Sequence, residues 1–244
     1  GIACLFFIAV LVRMGKGSVI TFSPRAGRAS KESVIAVFAV GVPSAIATLL
    51  FDLDYVIVDK LMVSYHDLAL AAVGVVLKVE RFPLNVGSGI CHGMLPLVAY
   101  SYGAGDHKMM SETIRLARKL GLVIAAGSIV LYEIFSGQLV RIFLSDPQAV
   151  SMASGFLRIR VLATPLMFLS FFTVYLFQAF GKGRISLFLG VTMWLGFNIP
   201  MLFILNYLVG MYGIVWSQVT ADILTVALSF YVMHRFGPKK GQAG

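Results

Sequence analysis

Charged residues are scarce in this chain. Asp, Glu, Lys and Arg make up 13% of its 244 residues, whereas soluble globular domains carry about 25%. Hydrophobic residues account for 59% of the sequence, and its mean hydropathy is +0.89. Lipid solvates an exterior of this composition and water does not. The scarcity of charge therefore excludes a water-soluble globular protein and predicts an integral membrane protein.

Cysteines are few, and the common catalytic motifs are missing. Cys4 and Cys91 both fall in apolar runs, and the sequence has no Cys/His spacing typical of a metal site. It also has no P-loop, no Gly-x-Ser-x-Gly elbow and no His-Glu-x-x-His motif. We therefore expect no disulfide, metal site, organic cofactor or enzyme activity. Without an ATP site, uphill transport would need an ion gradient or a partner ATPase.

Six segments are apolar and long enough to cross about 30 Å of hydrocarbon, which takes roughly 20 helical residues. They do not alternate apolar and polar residues, as the strands of a membrane barrel would. The sequence therefore predicts an all-α integral membrane fold with six transmembrane helices. The predicted spans are Val34–Val58, Leu70–Tyr100, Leu116–Ile134, Phe156–Phe180, Ile185–Leu205 and Ile214–Met233.

The segments divide the chain into four parts. Ile2–Val12 is apolar but too short to span, and its positive charges follow it, whereas those of a signal peptide come first. We therefore expect residues 1–13 to be the end of a preceding transmembrane helix and the chain to be a fragment of a longer protein. Residues 14–32 would be a cytoplasmic linker, residues 33–236 a six-helix transmembrane lobe and residues 237–244 a cytoplasmic tail.

Basic residues collect in alternate gaps between the predicted spans. Most of the 20 Lys and Arg residues lie in the gaps on one side, and the opposite gaps hold only Lys60 and Arg141. The positive-inside rule then predicts a multi-pass protein of the inner (plasma) membrane with both chain ends in the cytoplasm. This distribution argues against nucleic acid as a partner, and such basic loops can contact anionic lipid head groups.

Several charged residues lie inside the predicted spans, where a charge costs about 2.5–3.5 kcal/mol on insertion scales. We expect them to face the bundle interior or a watery cavity. At 100° per residue, Asp52 and Asp54 point about 200° apart, so one compact cavity cannot receive both. Two interpretations stay open: a structural ion pair between helices, or a substrate- or ion-binding role, since a buried carboxyl group can carry a proton. The residues concerned are Asp52, Asp54, Lys78, Glu80, Arg81 and Asp222.

Three polar residues add candidates for the site. His92 lies in the middle of a span and is either a hydrogen-bonded packing residue or a relay that titrates near neutral pH. Tyr175 and Gln178 are three residues apart in an aromatic span, so both can present polar tips to the interior.

Helix-breaking residues are frequent in the spans. Gly89 and Gly93 form a small-xxx-small pair that permits close helix approach. Prolines remove a backbone donor and kink helices, which suits either tight packing or helices that bend around a cavity. The prolines are Pro43, Pro83, Pro96, Pro165 and Pro200.

Six motifs follow one another between about Glu32 and Arg235. They are Gly41–Pro43 with Asp54, Ala69–Gly74, Leu77–Phe82, Gly93–Gly105, the Gln-x-x-Gly turn in Leu176–Arg184, and Gly213 with Val215–Trp216 and Ala221–Asp222. In this order and with these loop lengths, the chain resembles the C-terminal half of transporters of the multidrug and toxic compound extrusion (MATE) family.

The resemblance implies one six-helix lobe of a two-lobe, twelve-helix secondary transporter. Several members carry a cation-binding glutamate in the first helix of this lobe, and the nearest carboxylates in this chain, Asp52 and Asp54, are slightly displaced from that position. Related sequences often have glutamine where this chain has His92. The implied partners are the N-terminal lobe missing from this chain, membrane lipids and a small-molecule substrate. The candidate substrate- or ion-binding residues are Asp54, Glu80, Asp52, Lys78, Asp222, His92, Tyr175 and Gln178.

We therefore expect an antiporter, coupled to protons or sodium, that exports cationic or amphipathic drugs or metabolites across the cytoplasmic membrane. Such xenobiotic efflux would confer multidrug resistance. Two alternatives stay open: a lipid-linked oligosaccharide flippase of the same superfamily, with a more cationic cavity, and a non-transporting half-molecule that pairs with another lobe. The basic residues that keep the flippase alternative open are Lys78, Arg81, Arg158 and Arg160.

Overall fold

The computed structural model describes residues 31–237, with the backbone alone at some positions of the first helix between residues 33 and 48. Within that range the chain is almost entirely helical and contains no strand. The helices are α1 (Lys31–Val63), α2 (Asp67–Gly103), α3 (His107–Arg141), α4 (Pro147–Val161), α5 (Thr164–Ala179), α6 (Gly183–Val191), a π-helix (Thr192–Asn198), α7 (Ile199–Val209) and α8 (Met211–Phe236).

Some of the sequence predictions concern other parts of the chain. The expected helix end at residues 1–13, the linker as far as residue 30, the tail from residue 238 onward and the side chains of Cys4 and Pro43 lie outside the described residues. The described part of the linker is already helical, because α1 begins at Lys31.

The chain divides after Ala39 into two units. The first unit contributes only the start of α1 to the described residues. In the second unit, α2 packs against α3, α4 and α5, and α8 packs against α4, α5, α7 and the π-helix. Helix α2 is therefore the central element of the second unit.

The six predicted spans correspond to helices of the structure. The first, second, third and sixth lie within α1, α2, α3 and α8, and each helix extends beyond the predicted ends. Judged by length and apolarity alone, three segments of residues 31–237 can cross a membrane, or four if one bent pair counts as a span. Helices α1 and α2 are also long enough, with 33 and 37 residues, and α2 carries Lys78, Glu80 and Arg81 within its predicted span.

Two of the predicted spans are not plain α-helices. The fourth, Phe156–Phe180, is broken into α4 and α5, which are bent by 46° relative to each other. Pro165 stands in the first turn of α5, where its missing N–H has no intrahelical partner to lose. The fifth, Ile185–Leu205, is interrupted by the π-helix. A π-segment inside a helix is rare and often occurs at functional sites.

Glycine and aspartate residues connect the helices at the turns. Gly105 and Gly181 have φ angles of +71° and +70°, a region that glycine enters without the steric cost of a Cβ. Asp106 and Asp146 cap the N-termini of α3 and α4, because each carboxylate accepts backbone N–H bonds of 2.9 Å. These glycine and aspartate residues explain why the chain turns at these positions.

Phe168 of α5 packs where α2 and α3 carry glycine. A Cβ at Gly121 would overlap the Phe168 ring, and a Cβ at Gly87 would lie 3.1 Å from it. The ring is 4% exposed, and the cavity beside it measures only about 10 Å³. The close approach predicted at Gly89 and Gly93 is wrong for the described residues, because a Cβ at either position would meet nothing within 4 Å.

This contact predicts a difference between two glycines of α3. Gly121→Ala should destabilise the fold by about 1–3 kcal/mol, the usual cost of overpacking, because the Phe168 ring has no free space to enter. Gly127→Ala is the matched control, since a Cβ there meets nothing within 4 Å and alanine favours helix over glycine. The measurement is the melting temperature of the detergent-solubilised protein, and equal melting temperatures for the two variants would contradict the tight contact.

Candidate functional site

A bidentate ion pair joins α2 to α4 inside the bundle. Arg160 donates from Nε to Oε2 of Glu80 at 2.6 Å and from Nη2 to Oε1 of Glu80 at 2.8 Å. The side chains of Arg160 and Glu80 are 3% and 7% exposed, so water screens the pair little. Two parallel charge-assisted hydrogen bonds are the strong form of this contact. Removal of one partner would leave the other as an unpaired buried ion, which is strongly unfavourable.

Residues of two further helices hold Glu80 in place. The Tyr55 hydroxyl of α1 donates to Oε1 of Glu80 at 3.2 Å. The Tyr132 hydroxyl of α3 donates to the carbonyl of Val79 at 2.9 Å. Arg81, the next residue of α2, places its guanidinium carbon 4.4 Å from the centroid of the Tyr55 ring. Side chains from α1, α3 and α4 therefore fix this turn of α2.

Asp54 of α1 lies near the ion pair and has an unpartnered oxygen. The residue is 1% exposed, and its Oδ1 is buried without a hydrogen-bond partner among the described residues. The charges of Arg160 and Glu80 are close enough to act on it. The Asp52 side chain is 61% exposed, so the structure confirms the prediction that the two aspartates point in different directions.

A second set of polar side chains joins α8 to the π-helix. Asp222 is 1% exposed and accepts from Nε2 of Gln218 at 2.9 Å. Gln218 in turn accepts from Nδ2 of Asn198, the last residue of the π-helix, at 2.9 Å. Oδ1 of Asn198 is buried and has no partner in the described part of the chain. Helix α8 packs against α4, the helix that carries Arg160, and Asp222 lies within range of the charges of Arg160 and Asp54, so both sets belong to one region.

We call this region the buried polar cluster. It contains three carboxyl groups, of which Glu80 alone contacts the Arg160 guanidinium, so ionisation of all three would leave excess negative charge inside the bundle. Buried ionisable groups of this kind form proton relays and ion pathways in membrane proteins. The arrangement can therefore take up and release a proton or a small cation. The members of the cluster are Asp54, Tyr55, Glu80, Arg160, Asn198, Gln218 and Asp222.

Two of the predicted site residues lie away from the cluster. Asp52 pairs with Arg81 at 3.7 Å, but both side chains are about half exposed, and such pairs contribute little to stability. Lys78 is exposed on α2. The interhelical pair expected from the sequence is therefore present as Arg81–Asp52, whereas the buried pair is Arg160–Glu80.

The other predicted residues lie at or beside a cleft. Tyr175 and Gln178 of α5 line a cleft of about 170 Å³, and none of its lining residues in the described part of the chain is charged. His92 of α2 is adjacent, because its Nε2 lies 3.0 Å from the Tyr175 hydroxyl. The two rings meet edge to face, with centroids 4.8 Å apart. The structure therefore brings these three residues together but keeps them separate from the buried polar cluster.

Aromatic contacts connect this cleft to the cluster. Phe51 and Trp194 line the cleft, and their ring centroids are 5.0 Å apart. Phe51 also packs on Tyr55 of the cluster at 4.8 Å. Trp194 and Asn198 both belong to the π-helix, which thus supplies residues to the cleft and to the cluster. We call the cleft the aromatic cleft.

Sequence reasoning missed several members of the cluster. The sequence points to Arg160 only through the flippase alternative, because no short-range pattern pairs it with Glu80, which lies on another helix. Gln218 could have been found, since it precedes Asp222 by four residues and shares its helix face. Asn198 carries no such signal, because its position depends on the π-helix.

The fold and the cluster define a class: a polytopic membrane protein with ionisable groups turned into a protein interior, as in transporters and pumps. Comparison with known proteins gives the family. The MatE family model matches residues 43–204, and the chain belongs to this family, whose members are secondary multidrug transporters and not enzymes. The resemblance seen in the sequence is confirmed.

Individual relatives agree with this assignment. The chain is 29% identical over 237 residues to the multidrug export protein MepA of Staphylococcus saprophyticus, covering 96% of this chain and 51% of that protein. It is 26% identical over 233 residues to MepA of Staphylococcus haemolyticus, with the same coverage of 96% and 51%. The chain thus spans about half the length of the curated relatives it matches.

Solved structures share the fold. An outward-facing multidrug resistance MATE family transporter of the MOP superfamily superimposes with a TM-score of 0.85 at 16% identity, covering 94% of this chain and 52% of that chain. The Vibrio cholerae MATE transporter VcmN in its bent form gives a TM-score of 0.82 at 17% identity, covering 93% and 51%. At these identities the likeness establishes the fold alone.

The buried ion pair predicts a large effect of removing one partner. Arg160→Met should destabilise the protein by about 3–5 kcal/mol, because Glu80 would be left as an uncompensated buried charge. The double variant Glu80→Gln with Arg160→Met should recover part of this loss. The measurement is the melting temperature in detergent.

Arg158→Met on the same helix is the matched control for that experiment. Its guanidinium lies 3.7 Å from Glu133, with both side chains about half exposed, and donates to Oγ of Ser136 at 3.0 Å, so much less stability should be lost than at Arg160. If Arg160→Met and Arg158→Met lowered the melting temperature equally, the buried pair would not contribute more to stability than the exposed one, which would contradict the prediction.

Proposed function

We propose that this chain is the C-terminal lobe of an antiporter that uses a proton or sodium gradient to export cationic or amphipathic compounds. The whole protein would hold a second, N-terminal lobe, and the membrane would be the cytoplasmic one, with both ends of this chain in the cytoplasm. Membership of the family and similarity to the MepA proteins, which are multidrug export proteins, support this proposal.

The observation that carries the proposal is the Asp54 carboxyl group. It is buried, it lacks a donor at Oδ1 among the described residues, and the only guanidinium of the cluster is already held by Glu80. Transfer of an ionised carboxylate from water to such a site costs several kcal/mol unless it is paired. Asp54 is therefore the group best suited to bind and release the coupling ion.

Ion binding at Asp54 would change the balance of charge around Arg160. When Asp54 is ionised and empty, it competes with Glu80 for the guanidinium, and when it holds a proton or sodium, that competition ends. A ligand shifts a conformational equilibrium only through such a difference in interaction between states. The response would be a change in the bends of α1 and α2, which carry Pro43 and Pro83.

The aromatic cleft suits one end of an amphipathic cation. Phe51, Phe171 and Trp194 offer ring faces, which attract organic cations without needing a charged partner. Tyr175 and Gln178 add polar tips that can accept or donate hydrogen bonds. Ligand pockets for drug-sized molecules measure about 300–1,000 Å³, so the 170 Å³ of this cleft would form one wall of a site completed by the other lobe.

The alternatives receive less support. A flippase for lipid-linked oligosaccharides would favour basic residues along the cavity. The four basic residues named for it do not line the aromatic cleft, and Arg160 is held by Glu80. The half-molecule alternative is based on the chain spanning about half the length of its relatives. The coding sequence next to this segment would distinguish a separate half-molecule from one lobe of a longer protein.

The coupling role predicts the phenotype of one substitution. In membrane vesicles that contain the whole protein, Asp54→Asn should abolish proton- or sodium-driven transport of an organic cation such as ethidium, because an amide cannot exchange a proton or neutralise sodium. Insertion and melting temperature should be preserved.

Asp52→Asn is the control for that substitution, because Asp52 is largely exposed and pairs only weakly with Arg81. It should keep gradient-driven transport. An Asp54→Asn protein that transports at the wild-type rate in response to both gradients would remove Asp54 from the mechanism.

The aromatic cleft predicts a change in substrate affinity without loss of coupling. Tyr175→Phe removes a hydroxyl that contacts His92 and is one of the polar groups that the cleft offers to a substrate. KM for ethidium should rise several-fold, since a lost hydrogen bond is worth about 0.5–1.5 kcal/mol. Tyr207→Phe is the control, because Tyr207 is 89% exposed. Equal KM values for the two variants would place the substrate elsewhere.

A further inference from the structure

A second groove lies between α3, α5 and α8 and takes no part in the proposed transport cycle. Its volume is about 310 Å³, nearly twice that of the aromatic cleft. Most of its wall is apolar. The apolar wall residues include Leu169, Phe172, Leu176, Val226, Phe230 and Met233.

The length of the groove matches one leaflet of a bilayer. Its wall on α5 extends from Leu169 to the helix cap at Phe180, which is about 17 Å at 1.5 Å per residue. Its wall on α8 extends from Val226 to the cap at Gly237, a similar distance. Half of the hydrocarbon core is about 15 Å thick. The groove therefore runs from the end of the bundle to about the depth that an acyl chain reaches.

A basic side chain belongs to this apolar groove. Arg118 of α3 lines it, is exposed and forms no ion pair with a carboxylate among residues 31–237. Arg115 and Lys119 are exposed on the same part of α3, where Glu112 is the one nearby acid. Long basic side chains extend toward the membrane surface and keep their charge at head-group level. The groove thus combines positive charge on α3 with an apolar wall on α5 and α8.

A polar atom inside the groove lacks a partner. Ser229 of α8 lines the groove and is 4% exposed, and its Oγ is buried without a hydrogen bond in the described part of the chain. A buried hydroxyl without a partner is unfavourable. An ester carbonyl of a glycerolipid, which lies between head group and acyl chain, is an acceptor of the right kind for this donor.

We propose that this groove is a binding site for an anionic phospholipid. The phosphate lies near Arg118, the glycerol ester region accepts a hydrogen bond from Ser229, and one acyl chain fills the slot between α5 and α8. The site is separate from the aromatic cleft and the buried polar cluster, so it does not depend on ion coupling. Its lipid would serve as a structural filler between three helices.

Arg118→Gln tests the head-group contact. The whole transporter is purified in detergent, stripped of lipid and titrated with phosphatidylglycerol or phosphatidylcholine of matched chains, and native mass spectrometry measures the first bound lipid. Arg118→Gln should weaken phosphatidylglycerol binding about fivefold or more, the contribution of one basic residue near an anionic lipid surface. Phosphatidylcholine binding should not change.

Arg184→Gln is the matched control, because it removes the same charge from an exposed position that does not line the groove. It should bind phosphatidylglycerol like the wild type. Equal weakening by both variants would show a general charge effect and overturn the site. Full displacement of the lipid by inorganic phosphate at matched concentration would show a site for a free anion and would also overturn it.

Val226→Trp tests whether an acyl chain enters the groove. The added indole would fill the slot and should abolish tight phosphatidylglycerol binding, whereas Val130→Trp on an exposed face of α3, where Val130 is 59% exposed, should leave it intact. Equal binding by both variants would overturn the proposed site. Because binding is measured without an ion gradient, its failure is distinguishable from failure of the transport proposal.

Discussion

The bidentate contact between Arg160 and Glu80 is the constraint on which the interior of this lobe depends. Between helices in a bilayer there is no hydrophobic driving force, because lipid tails are as apolar as leucine. Association must come from close packing and from polar contacts that have no substitute in hydrocarbon. Since neither charge can remain unpaired, α2 and α4 are fixed relative to each other. Tyr55 and Tyr132 then hold α1 and α3 against the same turn of α2.

The sequence leaves two interpretations open for the carboxylates within the membrane spans, and each interpretation fits a different residue. Glu80 fits the structural one, since two hydrogen bonds to Arg160 and one from Tyr55 occupy its oxygens. Asp54 fits the proposed ion-binding role, because Arg160 is engaged and Oδ1 of Asp54 has no donor among the described residues. A rigid pair beside an unsatisfied carboxyl group provides a fixed framework in which one site can change its state of charge.

The sequence predicts the helices and their order well because span length and apolarity are local properties. It also predicts the opposite orientations of Asp52 and Asp54, which follow from the helical repeat alone. It does not predict the Arg160–Glu80 pair, because contacts between distant helices leave no spacing signal. It does not predict the π-helix either, although that segment places Asn198 in the cluster and Trp194 in the cleft. Where the backbone departs from regular helical geometry, residue spacing no longer predicts the helix face on which a side chain lies.

In the proposed function, electrostatics would connect the cluster and the cleft in the way that ion–substrate exchange requires. With its carboxyl groups ionised, the buried polar cluster carries excess negative charge, and its field reaches the nearby uncharged cleft with little screening. Under the proposed function, a cationic substrate in the cleft would then be favoured. A proton or sodium ion at Asp54 would remove part of that charge, so the coupling ion and a cationic substrate would weaken each other's binding. Such coupling is reciprocal by thermodynamic necessity: binding of either one promotes release of the other. The proposed antiporter needs this property, and it would follow from two further buried carboxyl groups, Asp54 and Asp222, beside the Glu80–Arg160 pair.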